Sequence, residues 1–515
     1  MESSLNSKQA QTWRKSTLSN YLLLFLRMAS VLILTRGLFL NLSAEDYGFW
    51  ALLWSMFGYT LLLDFGFGTA VQKWTSQTRV NGDWGRYGSL LSSLLACYGL
   101  MGGLIALSSL PIAYYLPQWF HFSADPRPFQ LIFILFGVGS GLIFPTGLAA
   151  EILRGLEQIP LRNRIQAWTL LAQTLGSLLL VQFYPDLFSL TFWTLLTTFI
   201  SNLLMLRGAL RVLPENFKLG KPSRKLLREV ASFSVYAWLI TLTNLVIFRS
   251  DQLIIGASIG VGAIAGYQIA NRLADLFRQL TTQVHDYLGP LAARAYSQGQ
   301  KELLNLTLLN TSRWVSLLAV LMGLPLAWFL PELLSLWLKL DSPEVRFSAW
   351  ILLASMFVQV SLRSTGTQVL LMCQREKTLM WGALAEAVLN LSVSLLLAPR
   401  IGILGVALGT LLPNLVLALS FNLPLASRAS GVSFARFFRQ TSASAWLAGG
   451  ISALLFWPLS ALMGSWPALL RLLGGGFLCG MITLVVLLGV GLTREEQKTL
   501  LSKLRLQKRG ILASV

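Results

Sequence analysis

Residues 18–41 read LSNYLLLFLRMASVLILTRGLFLN. The run holds no acid and only two bases, Arg27 and Arg36. About 20 apolar residues rising 1.5 Å each cross the ~30 Å hydrocarbon core of a bilayer, so the run is long enough to span as a helix. A barrel strand would be shorter and would alternate apolar with polar residues. The length of the run, its arginines and the lack of a small-residue cleavage site argue against a cleaved signal peptide.

The pattern recurs along the chain. Apolar segments lie near 18–41, 47–71, 87–113, 129–151, 165–184, 188–206, 231–255, 262–286, 313–335, 347–372, 378–398, 401–425, 441–462 and 467–492, separated by charged or Gly/Pro punctuation. Over all 515 residues, 54% are hydrophobic and 12% are charged, against roughly 25% charged in soluble globular proteins. These proportions exclude a large soluble fold and a disordered chain. The fold class is all-α integral membrane, with about fourteen transmembrane helices.

The net charge is +19. In a soluble protein this would suggest nucleic acid; in a multi-span protein it reflects basic cytoplasmic loops. With the N-terminus in the cytoplasm, 29 Lys and Arg fall in cytoplasmic segments, five in outer segments (Arg127, Lys339, Arg346, Arg400 and Arg471) and seven inside spans. This bias places both termini in the cytoplasm and requires an even number of spans. The richest basic stretch, residues 207–228, carries Pro214, Gly220 and Pro222 and reads as a linker.

The expected organisation is an N-terminal six-helix bundle over 1–206, a cytoplasmic basic linker over 207–230, a C-terminal six-helix bundle over 231–426, and two extra helices with a basic tail over 427–515. Tyr47-Gly48 after the first span and Gly266-Tyr267 after the seventh suggest parallel repeats, related by a pseudo-two-fold axis along the membrane normal. Outer loops are too short for an enzyme domain. Cys97, Cys373 and Cys479 sit in apolar segments and His121 and His285 are the only histidines, so neither a disulfide framework nor a metal site is expected. Gly137 and Gly141 allow close helix approach, and Pro145 and Pro413 are expected to kink their spans.

Charges inside spans carry the functional information, because one at mid-bilayer costs about 2.5–3.5 kcal/mol even on insertion scales. The basic ones are Arg27, Arg36, Arg249, Arg272, Arg278, Arg313 and Arg363. Arg313 begins the ninth span and snorkels, and Arg36 lies near an outer end. Arg272, Asp275 and Arg278 share one helix face by their i, i+3 spacing. The carboxylates Asp64, Asp251, Asp275 and Glu386, with Glu151 beside Arg154, are the available counter-charges. In one reading these charges pair off and lock helices together. In the other, the surplus guanidiniums line a water-accessible cationic cavity between the bundles and bind an anionic headgroup, since the guanidinium fork suits phosphate. The second reading makes Arg27, Arg36, Arg249, Arg272, Arg278 and Arg363 substrate-binding, and Asp64, Asp251, Asp275 and Glu386 candidates for ion coupling.

AEDYGFWAL at 44–52 followed by LDFGFG at 63–68 resembles the opening of polysaccharide-biosynthesis membrane proteins, the Wzx-type flippases of lipid-linked oligosaccharides. DQLIIG at 251–256, Gly266-Tyr267 and ANRL at 270–273 agree at the start of the second half. The family belongs to the multidrug/oligosaccharidyl-lipid/polysaccharide exporter superfamily. The resemblance implies two bundles, a central cavity lined by the deep arginines, and alternating access. It also implies a bacterial cytoplasmic-membrane flippase for an undecaprenyl-pyrophosphate-linked oligosaccharide, working among membrane lipids with a polysaccharide polymerase and a chain-length regulator as partners. Such a protein makes no bond and needs no catalytic residue, metal or cofactor, although H⁺ or Na⁺ could drive it; no nucleotide-binding loop is present. The rivals are a cationic-drug exporter of the same superfamily, a membrane-embedded polymerase or ligase, and a scaffold for glycan assembly.

Overall fold

The computed structural model describes residues 2–492 apart from 216, 232–234, 284, 374 and 432, together with 496–497. The rest of the basic tail expected beyond 492 lies outside the described residues. Those residues form helices joined by short turns, without strands among them. Among the described residues, ten helices are long and apolar enough to cross a membrane, or eleven if one bent pair counts as a span. The protein is a multi-pass, all-α membrane protein.

Contacts divide the chain into two compact units, Met1–Gln268 and Ile269–Val515. The first holds α1 (Glu2–Asn41), α2 (Ala44–Gly58), α3 (Phe67–Asn81), α4 (Trp84–Trp119), α5 (Arg127–Ile143), α6 (Leu148–Gly155), α7 (Ile159–Phe183), α8 (Leu187–Val212), α9 (Arg224–Ala231) and α10 (Val235–Ser258). α11 (Val261–Thr282) begins in the first unit and ends in the second. The second unit continues with α12 (His285–Ser297), α13 (Lys301–Trp328), α14 (Leu330–Leu338), α15 (Pro343–Val358), α16 (Thr365–Met372), α17 (Glu376–Ile401), α18 (Ile403–Leu417), α19 (Leu423–Ser430), α20 (Phe434–Phe438), α21 (Ser444–Leu462), α22 (Ala468–Leu470) and α23 (Gly476–Val486).

The gap between fourteen expected spans and ten or eleven observed lies at α7, α10, α11 and the segment 47–71. α7, α10 and α11 are helical as read; α7 and α11 are diluted by polar residues, Arg162, Asn163, Arg164 and Gln166 in α7 and Asn271, Arg272, Asp275 and Arg278 in α11, while residues 235–237 and 240 of α10 lie outside the fully described residues. Segment 47–71 is not one straight helix. It breaks into Ala44–Asp64 and Phe67–Asn81, bent by 47°. Segment 129–151 is also interrupted, by a 3-10 turn over Phe144–Gly147 that contains Pro145. Proline has no N–H for the α-helical ladder and pushes the chain out of it.

In the first unit α1 packs on α7, α7 on α8, α4 on α5, α3 on α6, and α10 on α2. Its aromatic and leucine core centres on Tyr87, Leu90, Leu94 and Leu153, all at most 1% exposed. In the second unit α17 packs on α18, α15 on α18 and α12 on α16. The last two apolar helices close on α13 through Leu317, Val320, Ala445, Ala448 and Leu487.

Glycine sets the closest helix approach. A Cβ on Gly102 of α4 would overlap the Gly141 carbonyl of α5, and a Cβ on Gly141 would overlap the Gly102 carbonyl. Gly103 has nothing within 4 Å of the same position. Gly141→Leu is therefore expected to destabilise the fold by about 1–3 kcal/mol or more, while Gly103→Ala leaves it unchanged or slightly firmer. Thermal unfolding of the detergent-solubilised variants checks both; an unchanged midpoint for Gly141→Leu would contradict the close approach.

Candidate functional site

The break after α2 positions the first group. In Leu63-Asp64-Phe65-Gly66-Phe67-Gly68, Phe65 (φ 46°) and Gly66 (φ 75°) both turn left-handed. Glycine adopts this freely, whereas Phe65 is strained there. The Phe65 ring is held by stacking on Trp238 at 6.0 Å, and the Trp238 indole N–H donates to the Leu62 carbonyl at 2.7 Å. The turn brings the Asp64 carboxylate over the start of α3, where the Gly68 N–H donates to Oδ1 at 3.3 Å. The Tyr98 hydroxyl of α4 donates to the same oxygen.

Asp64 lines a cavity of about 570 Å³ inside the first unit. Its other charged lining residues are Glu151, Arg154 and Arg249; Thr194, Thr198 and Asn202 of α8 add polar groups, and Trp54, Phe57 and Phe136 apolar ones. Arg154 donates from Nη1 to Glu151 Oε2 at 3.0 Å, one turn away on α6. A Cβ on Gly68 would stand 3.5 Å from both Asp64 Oδ1 and Glu151 Cγ, so glycine leaves the two acidic side chains facing one space. Gly58 makes room in the same way for Arg249, whose Nε would lie 3.4 Å from a Cβ there. Two carboxylates and two guanidiniums thus line one chamber of mixed polar and apolar walls, an arrangement that suits cation exchange and the holding of a zwitterionic or anionic group.

Arg249 is the sequence-predicted arginine that this chamber includes. Arg27 is exposed on α1 and donates from Nη2 to Gln166 Oε1 of α7 at 3.0 Å. It belongs to a polar seam in which Asn163 donates to Asn20 Oδ1 at 2.6 Å and to Ser19 Oγ at 3.0 Å. Arg36 is half-buried near the other end of α1 and is not part of the chamber lining. Asp251 is buried and accepts a hydrogen bond from Tyr267.

The second unit holds the other predicted groups. Arg278 donates to Asp275 Oδ1 from Nη2 at 2.5 Å and from Nε at 3.1 Å, and Gln279 donates to Oδ2 at 2.8 Å. Asp275 is thereby committed to its C-terminal neighbours. Arg272, one turn earlier and half-buried, makes no hydrogen bond or ion pair among the described residues, and its Nε is buried without a partner. Arg363 meets Glu386 of α17 through two bonds of 2.6 Å each and donates from Nη1 to Asn414 Oδ1 of α18 at 2.6 Å. Asn414 in turn donates to the Ser355 carbonyl at 2.7 Å. Arg363 sits on the π-helical segment Gln359–Ser364, an irregularity that often marks functional positions. Arg313 is tied by Glu496 at 3.2 Å and by the Gly491 carbonyl at 2.5 Å.

Several of these partners were not read from the sequence. Tyr98 and Gln166 carried no local signal. Thr194, Thr198 and Asn202 did: their i, i+4, i+8 spacing puts polar groups on one face of an apolar helix.

A family model described as polysaccharide biosynthesis protein matches residues 38–340. A search of curated proteins finds no match. Among solved structures, the chain is similar to the lipid II flippase MurJ in an inward closed conformation, at 13% identity and a TM-score of 0.67, covering 92% of this chain and 97% of that one. It is similar to a multidrug resistance MATE family transporter of the MOP superfamily, inward-facing, at 14% identity and a TM-score of 0.65, covering 78% and 95%. A MOP superfamily transporter from Pyrococcus furiosus follows at 15% identity and a TM-score of 0.55, covering 80% and 95%. At these identities the likeness establishes the fold.

The Arg363 and Glu386 side chains are 12% and 9% exposed. Removing one member of such a pair strands the other, at a cost of about 3–5 kcal/mol, whereas replacing both by apolar groups is often neutral. Arg363→Met and Glu386→Leu are each expected to lower the thermal unfolding midpoint sharply, and the double variant to regain most of it. A double variant no better than the worse single would contradict the pairing.

Proposed function

The chain belongs to the polysaccharide biosynthesis protein family, and from that premise we propose that it is a flippase for undecaprenyl-pyrophosphate-linked oligosaccharide in a bacterial cytoplasmic membrane, with both termini in the cytoplasm. The pyrophosphate engages guanidiniums from the set Arg27, Arg36, Arg249, Arg272, Arg278 and Arg363. The saccharide travels through hydrated space while the isoprenoid tail stays in lipid, and alternating access moves the head group across. No bond is made or broken, so the protein needs no catalytic residue. A polysaccharide polymerase and a chain-length regulator are the expected partners downstream.

One observation carries this reading. Arg272 is a half-buried cation in a helix of a membrane protein, with no hydrogen bond or ion pair among the described residues. Such a group calls for an anion or water, and its fork matches phosphate oxygens. Arg278 and Arg363 already hold carboxylates, so they join the cargo site only by exchanging those partners. Arg272→Ala is expected to abolish translocation of lipid-linked saccharide in proteoliposomes at normal expression, with Arg272→Lys recovering part of it because a point charge replaces the fork. Full activity in Arg272→Ala would remove the proposal.

Coupling to a proton or sodium gradient is assigned to Asp64. Asp275 and Glu386 are occupied by arginines and Asp251 is buried against Tyr267. Asp64 opens on the chamber it shares with Glu151, so a coupling ion in that space meets both carboxylates. Asp64→Asn is expected to make transport insensitive to the imposed gradient. Wild-type transport that is itself unchanged after collapse of both gradients would rule coupling out. The same pair of carboxylates favours a second reading, export of an organic cation, which a drug-efflux assay in the presence and absence of Asp64 separates.

A further inference from the structure

A second cavity, of about 320 Å³, lies in the first unit at the end where the basic linker returns across α4. Leu91 and Leu95 of α4, Ile152 of α6 and Leu206 and Leu210 of α8 form its walls, and Phe217 and Leu219 of the linker close one side. Its one hydroxyl, on Thr146, is already engaged: it donates to the Ile143 carbonyl at 2.5 Å and accepts from Asn202 Nδ2 at 2.9 Å. Water needs two to four polar partners to stay in such a space, so the cavity is dry. Leu210 (57% exposed) and Leu219 (56%) flank its opening.

Residues 217–223 of the linker form a strap against α4. Gly88 and Gly220 permit close contact, since a Cβ on Gly88 would overlap the Lys218 carbonyl and one on Gly220 would overlap Ser89. The Ser223 N–H donates to Ser93 Oγ at 2.7 Å, and Phe217 packs on the Tyr87 ring at 5.9 Å. The strap presents Lys218 and Lys221 to solvent beside the opening, with Arg211 exposed on the adjoining end of α8. α9 then buries Leu226 while Arg224, Lys225 and Arg228 stay exposed, the pattern of a helix that lies at a charged membrane surface.

We propose that this is a binding site for an anionic glycerophospholipid of the membrane, with one acyl chain in the dry cavity and the phosphate on Lys218, Lys221 and Arg211. Each half of the amphiphile meets its complement: the chain fills space that offers water no partner, and the phosphate neutralises a cationic rim at the interface. The site is separate from the chamber around Asp64 and holds whatever the cargo proves to be.

The test is photolabelling of the full-length protein in nanodiscs with phosphatidylglycerol carrying an acyl-chain diazirine, read by peptide mass spectrometry, with diazirine phosphatidylcholine as the comparison. Label is expected on peptides covering 91–95 and 206–219, with phosphatidylglycerol favoured. The double variant Lys218→Glu with Lys221→Glu should lower that label by about tenfold, towards the phosphatidylcholine level. Leu210→Trp, which narrows the opening without touching charge, should lower label from both lipids. Variants are compared only if their thermal midpoints match the wild type; Lys218→Gln with Lys221→Gln replaces the charge reversal if it does not. Absence of label on those peptides in the wild type, equal label from the two lipids, or label indifferent to the lysines would each overturn the proposal.

Discussion

A guanidinium cannot be left alone in hydrocarbon. Its desolvation outweighs any single helix propensity or packing contact, so each one set at membrane depth must find an anion, an amide, water or a ligand. That constraint organises the polar architecture on both sides of Gln268. Gln166 receives Arg27, Asp275 receives Arg278 on one oxygen and Gln279 on the other, and Glu386 with Asn414 encloses Arg363. Arg272 stands apart from this pattern: it is without a protein partner among the described residues. A cation left in that condition fits a protein that carries an anionic cargo.

The same economy explains where the helices are irregular. The Asp64–Gly66 break lets a carboxylate, a tyrosine hydroxyl and a glycine N–H meet. The π-helical turn at Gln359–Ser364 carries Arg363 at its Glu386 partner. Regular helices would have continued the ladder, but these charges needed specific distances, and the backbone departs from ideal geometry to supply them.

Legibility in the sequence followed range. Apolar periodicity is local, so membrane helices and the glycine approach between α4 and α5 could be read from composition and spacing. The Arg278–Asp275 pair was within reach because it is one turn long. Its exclusive character was not, since Arg272 lies at the same spacing on the other side and only the rotamers decide. Arg363–Glu386, Tyr98–Asp64 and Arg27–Gln166 join different helices, and no local pattern encodes which helices become neighbours. Ten or eleven spans among the described residues meet a plain apolar test, because α7 and α11 interrupt their apolar runs with polar side chains. The break at Phe65 and Gly66 was written in the Gly-Phe-Gly run, but apolar content masked it.

The central claim is that Arg272 is kept for a phosphate. Equilibrium binding of a short-chain polyprenyl pyrophosphate to the purified full-length protein, wild type against Arg272→Gln, tests it most directly. Loss of a charge-assisted hydrogen-bond donor should weaken binding by about tenfold to a hundredfold, with the thermal midpoint of the unliganded protein preserved. Equal affinity in the two proteins, at equal stability, would show that this cation serves the fold alone.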